Sequence, residues 1–120
     1  GLSWDELLSR LEKLQFRAAI VGPEGSGKTT LLEDLESRLQ HRGFEIVRLR
    51  LSREKRHFSA QDLEKLRDVS THIVLFDGAE QLSRWKWEIF KRQSRRFGGL
   101  IITSHKTGML PTLLHCQTSL

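Results

Sequence analysis

Residues 21–30 read VGPEGSGKTT, in which Gly22, Gly27, Lys28 and Thr29 fall at the spacing G-x-x-x-x-G-K-[ST]. Glycines let the backbone curl its N–H groups inward around an anion with no Cβ in the way, and a following helix adds the positive end of its dipole. A lysine supplies a compact point charge, and a threonine hydroxyl is a hard oxygen ligand for a divalent ion. The pattern predicts that Gly22, Pro23, Glu24, Gly25, Ser26, Gly27, Lys28, Thr29 and Thr30 wrap a phosphate chain. Lys28 would reach its β and γ groups, and Thr29 would hold Mg²⁺.

Asp77 ends the apolar run HIVLF at 72–76, which places it at the tip of a buried strand. Glu80 follows three positions later. Its carboxylate could orient or deprotonate an attacking water, or it could cap the helix that starts near Leu82. After the next apolar run, LIIT at 100–103, the strand tip carries Thr103, Ser104 and His105.

The elements around these residues alternate. Ser3-Trp4-Asp5-Glu6 reads as a capping box for a helix over 4–14. RAAIV at 17–21 is a short buried strand leading into the glycine loop, and Leu31, Leu32, Leu35 and Leu39 recur at helical spacing until Gly43. FEIVRLRL at 44–51 alternates, with Val47, Leu49 and Leu51 on one face, and suits an edge strand. Ser59 to Asp62 caps a further helix carrying Leu63, Leu66 and Val69. Leu82 to Phe97 reads as a helix, and LPTLLHCQTSL leaves room for a fifth strand. The expectation is one α/β domain over 1–120, with an N-terminal helix over 1–16 leading into it. Its sheet is doubly wound and mostly parallel, with four to five strands and helices on both faces, and the presence of a last helix stays open.

GPEGSGKTT at 22–30 resembles the phosphate loop of the P-loop NTPases, and HIVLFDGAEQL at 72–82 resembles their Walker B strand. GLIITSHKTG at 99–108 is similar to the sensor 1 strand of the AAA and origin-recognition-like ATPase cores, in the additional-strand, catalytic-glutamate division. The likeness covers most of the chain. It implies MgATP bound at the carboxyl ends of the strands, with Asp77 on the Mg²⁺ water shell and Glu80 as the base. Ser104 and His105 would contact the γ phosphate or the water. In that division the glutamate often follows the aspartate directly, whereas here that position is Gly78. No N-K-x-D or D-x-x-G motif follows the strands, so ATP is expected rather than GTP. The lid of an AAA motor does not fit in the 15 residues beyond His105.

Composition bounds the rest. Apolar residues make up 38% and charged residues 29% of the 120, as in a globular domain, and no apolar run approaches the ~18 residues of a membrane span. Cys116 is the only cysteine, which excludes an internal disulfide; the five histidines lack ligand spacing, so no structural metal is expected. The cytoplasm is the default location. The net charge is +5, and residues 84–96 (RWKWEIFKRQSRR) carry six basic and one acidic residue. On a helical wheel Leu82, Trp85, Ile89, Gln93 and Phe97 share one side with Phe90 at its margin, which predicts Trp85, Ile89 and Phe97 as core. Trp87, Lys91, Arg92 and Arg95 would then form an exposed surface for nucleic acid or an acidic protein.

The leading expectation is a small protein that binds MgATP and hydrolyses it slowly, as a partner-stimulated switch. Two other readings stay open. One is a P-loop kinase that uses the basic loop Arg53–His57 to clamp an anionic acceptor. The other is a nucleotide-gated module that binds nucleic acid or protein. Oligomeric state is not legible.

Overall fold

A computed structural model describes residues 2–117. It is an α/β fold built on one five-stranded, wholly parallel sheet. Helix α1 (Trp4–Lys13) starts at Ser3, whose hydroxyl accepts from the Glu6 N–H. Strand β1 (Arg17–Val21) runs into the glycine loop, and helix α2 (Lys28–His41) follows it, with its C-cap at Arg42 and Gly43 beyond at φ +91°. Next come β2 (Glu45–Arg50), α3 (Ala60–Lys65) and β3 (His72–Asp77). A 3₁₀ turn at Ala79–Gln81 leads to α4 (Arg84–Gln93), and a second at Ser94–Arg96 leads to β4 (Gly99–Ser104) and β5 (Thr112–His115).

The strand order is β2-β3-β4-β1-β5. The central strands β1, β3 and β4 are apolar nearly throughout because helices cover both of their faces, while β2, with its alternating arginines, takes an edge. One face packs Leu7 and Leu11 of α1 and Leu32, Leu35 and Leu39 of α2 against Ile20, Leu75 and Ile101. The other packs Trp87 and Phe90 of α4 against Val74, Phe76 and Ile102. Among the described residues no helix is long and apolar enough to cross a membrane.

Two sequence expectations are corrected. In α4 the buried aromatics are Trp87 and Phe90, whereas Trp85 and Ile89 are 64% and 47% exposed. The wheel was phased by Leu82 and Phe97, but both lie outside the helix in extended backbone, with ψ of 141° and 155°. Ser83 is the true N-cap, and starting the helix there turns Trp87 inward and Trp85 out. Trp87 therefore cannot belong to a partner surface. In α3, Leu63 is 57% exposed and Asp62 is buried instead. The Asp62 carboxylate closes a capping box on the Ser59 N–H and takes the Lys55 ammonium at 2.6 Å, which draws that face of the short helix inward.

Candidate functional site

The site lies at the carboxyl ends of β1, β3 and β4, where the parallel sheet brings sequence-distant tips together. Between β1 and α2 the chain turns through Gly25 and Gly27, at φ of +78° and +86°. Both sit in the left-handed region that an L side chain adopts only with strain. Gly27 is also the N-cap of α2 and offers no side-chain acceptor, so the first N–H groups of a 14-residue helix are left for an external anion. The Lys28 ammonium folds back across the loop and donates to the carbonyls of Gly22 at 2.6 Å and Pro23 at 2.8 Å. Ser26 Oγ is buried there with no partner. Behind the loop, a Cβ on Gly22 would meet the Cys116 carbonyl oxygen at 2.5 Å. Burial pushes the Cys116 thiol up, against a weaker downward pull from Lys28.

Asp77 closes the other side. It is 6% exposed, and its Oδ2 accepts from Thr29 Oγ1 at 2.9 Å. Its Oδ1 accepts from Thr103 Oγ1, which in turn accepts from the Gly78 N–H at 2.9 Å. Strand register explains the Thr103 contact. Phe76 pairs with Ile102, so the next residues, Asp77 and Thr103, emerge side by side. Because β4 also pairs with β1, Thr103 stands between the glycine-loop strand and Asp77.

Gly78 has φ +87°, and a Cβ there would lie 2.2 Å from the Leu51 carbonyl oxygen. No side chain fits at this position, so no carboxylate can follow Asp77 directly. Glu80, on the 3₁₀ turn, is the next acid along the chain. Its carboxylate is 10% exposed, accepts from the His105 N–H at 3.2 Å and lies 3.8 Å from His105 Nδ1. It does not cap α4, since Ser83 fills that role.

Pro23, Glu24, Gly25, Gly27, Lys28, Thr29 and Thr30 line a cleft of about 830 Å³ together with Asp77, Glu80, Thr103 and His105. That volume is within the range of small-molecule sites. Ser104 is not among the lining residues. Its hydroxyl is buried, points to Met109 Sδ at 3.2 Å and accepts from the Lys106 N–H. The lip of the cleft adds Arg50, Arg53 and Gln81, which sequence reasoning did not place there as a group. A partial signal existed for Arg50: the alternation of β2 puts it at the strand end, in register with Asp77. Arg53 meets Glu24 of the glycine loop at 3.3 Å across the mouth.

The donor set suits a hard cation. A threonine hydroxyl and a carboxylate converge within 2.9 Å, beside backbone N–H groups and an ammonium that favour phosphate. Among the described residues no cluster of three His, Cys, Asp or Glu side chains could form an all-protein cage. Mg²⁺ does not require one, because it keeps several waters and borrows phosphate oxygens. No protein-family model matches the chain, and no curated protein matches it either.

Proposed function

We propose that this chain binds MgATP in a P-loop NTPase fold and hydrolyses it slowly, with a partner raising the rate. The observation that carries the reading is the Thr29–Asp77 hydrogen bond at 2.9 Å, beside a glycine-capped helix start and Lys28. In this reading the N–H groups at residues 25–30 and Lys28 hold the β and γ phosphates, and the Lys28 ammonium exchanges its two loop carbonyls for phosphate oxygens. Thr29 and Asp77 hold the Mg²⁺, which when bound neutralises charge on the phosphate oxygens. Thr103 donates to the Asp77 carboxylate while accepting from the Gly78 N–H, which fixes the carboxylate at the cleft. Glu80 accepts a proton from water at the cleft, and the His105 N–H keeps its carboxylate turned that way. The strand order supports the additional-strand division, since β4 is inserted between β1 and β3. Slow basal turnover follows if the stabilising arginine comes from a partner, a group worth about 10³–10⁵ in rate.

One observation favours a second reading, transfer to an anionic acceptor: Arg50 and Arg53 both line the cleft. Titration with MgATP followed by ADP assay separates the possibilities. Lys28→Ala should abolish binding, and Glu80→Gln should keep binding while losing turnover. Phosphate appearing on an added anionic small molecule, with little free phosphate, would move the assignment to a kinase. Nucleotide binding that survives Lys28→Ala and Asp77→Ala would end the proposal.

A further inference from the structure

We infer that the outward face of α4 is a binding surface for single-stranded nucleic acid, centred on Trp85 and Arg92. This stands on α4 alone and does not need the nucleotide site. Trp85 and Ile89 are four residues apart and Arg92 follows three later, so they form one ridge on the side opposite the buried Trp87 and Phe90. A tryptophan left 64% exposed on an ordered helix keeps most of a large apolar ring in water.

Arg84, Lys86, Lys91 and Arg92 lie on α4 with the ridge, and Arg95 and Arg96 follow on the 3₁₀ turn, against a single acid in this stretch, Glu88. Among the described residues none of the six takes part in an ion pair; the pairs that form use other cations. Lys91 and Arg92 complement the carboxyl end of the helix dipole, which accounts for two of them. Lys86 meets His57 Nδ1 at 3.3 Å, and Arg84, Arg95 and Arg96 share no such local reason. Cations with no acidic partner beside an exposed indole are what a phosphodiester chain with stackable bases requires. The Lys86 Nζ lies 5.9 Å from the Trp85 ring centroid, a loose contact that a stacking base would displace toward its own phosphate. A nucleotide chain matches both features at once, with a charge on every unit and a base to stack, and an acidic protein anchored on the indole is the competing outcome of the test.

A ten-residue helix is about 15 Å long, enough for roughly two to four nucleotides. Neutralising that many phosphates gives a log–log salt slope of about −1.5 to −3 and a dissociation constant on the order of 10⁻⁵–10⁻⁴ M. The test uses fluorescein-labelled oligo-dT, with anisotropy read from about 25 to about 200 mM sodium chloride. Trp85→Ala should weaken binding about tenfold, and oligo-dT should quench tryptophan emission in the native protein but not in Trp85→Phe. Arg92→Gln should flatten the salt slope by about 0.7. Both side chains are exposed, so unchanged melting curves will show that the variants are folded. The inference is overturned by absence of binding at low salt, or by binding that Trp85→Ala leaves intact. It is equally overturned if poly-glutamate binds as tightly as oligo-dT, which would assign the face to an acidic protein.

Discussion

Replacing Gly78 by alanine tests the geometry that excludes a carboxylate next to Asp77. Gly78 holds φ +87° and ψ 35°, and an added Cβ would lie 2.2 Å from the Leu51 carbonyl oxygen and 3.1 Å from its carbon. Two penalties add. The left-handed backbone alone costs an L residue about 1–2 kcal/mol. The contact cannot be relieved by a rotamer change, because the obstacle is backbone, so the end of β2 must withdraw. That movement loosens the 2.9 Å hydrogen bond from the Leu51 N–H to the Asp77 carbonyl. Overpacking of this kind adds about 1–3 kcal/mol, for a total of about 2–5. Gly43→Ala is the control: its φ is +91°, yet a Cβ there meets nothing within 4 Å. It should lose only the backbone term of about 1–2 kcal/mol. At ~4 °C per kcal/mol for a domain of this size, thermal and urea unfolding should place Gly78→Ala clearly below Gly43→Ala. Equal losses in the two variants would refute the claim that the Leu51 carbonyl closes this position.

Thr103→Val keeps the shape but removes the hydroxyl that joins Asp77 to the Gly78 N–H, leaving that buried N–H without its acceptor. It should lose about 1–3 kcal/mol in urea unfolding and weaken MgATP binding, because Asp77 then keeps only the Thr29 hydroxyl of its two hydroxyl partners. Trp87→Ala should lose about 3–5 kcal/mol, whereas Trp85→Ala should stay within about 0.5 kcal/mol of the native protein; paired melts decide which tryptophan is core. Burial pushes the Asp62 carboxyl up, but Lys55 and the Ser59 hydrogen bonds outweigh it and hold it below its ordinary value of 3.8. A lowered folded-state value stabilises the fold above the ordinary carboxylate range and is lost as pH falls through the lowered value. Asp62→Asn should therefore lose about 1 kcal/mol at neutral pH, with the difference shrinking in urea melts taken in the acid range.

Much of the architecture was legible because its causes are local. The apolar runs at 17–21, 72–76 and 100–103 mark strands buried on both faces, and each lies within an observed strand. The alternation at 44–51 marked the edge that β2 occupies. Glycines at 25 and 27 sit where the loop needs positive φ, and Ser3 and Ser59 cap the helices they precede.

What the sequence left open depends on contacts between distant residues. The face of α4 was misread because its phase depends on the helix start, and Leu82 and Phe97 look periodic while lying in extended backbone. Ser83, a cap worth about 1 kcal/mol, decides which tryptophan meets the sheet. Spacing could not say whether Glu80 caps α4; Ser83 fills that cap, and the Glu80 carboxylate accepts from the His105 N–H. The Thr29–Asp77–Thr103 chain joins residues up to 74 positions apart, from 29 to 103, and exists only because β4 lies between β1 and β3. Spacing alone marks a loop able to curl around an anion, since curling is a property of a few adjacent glycines. Strand order decides which carboxylate faces that loop, since neighbours in a parallel sheet are chosen by packing and not by proximity along the chain.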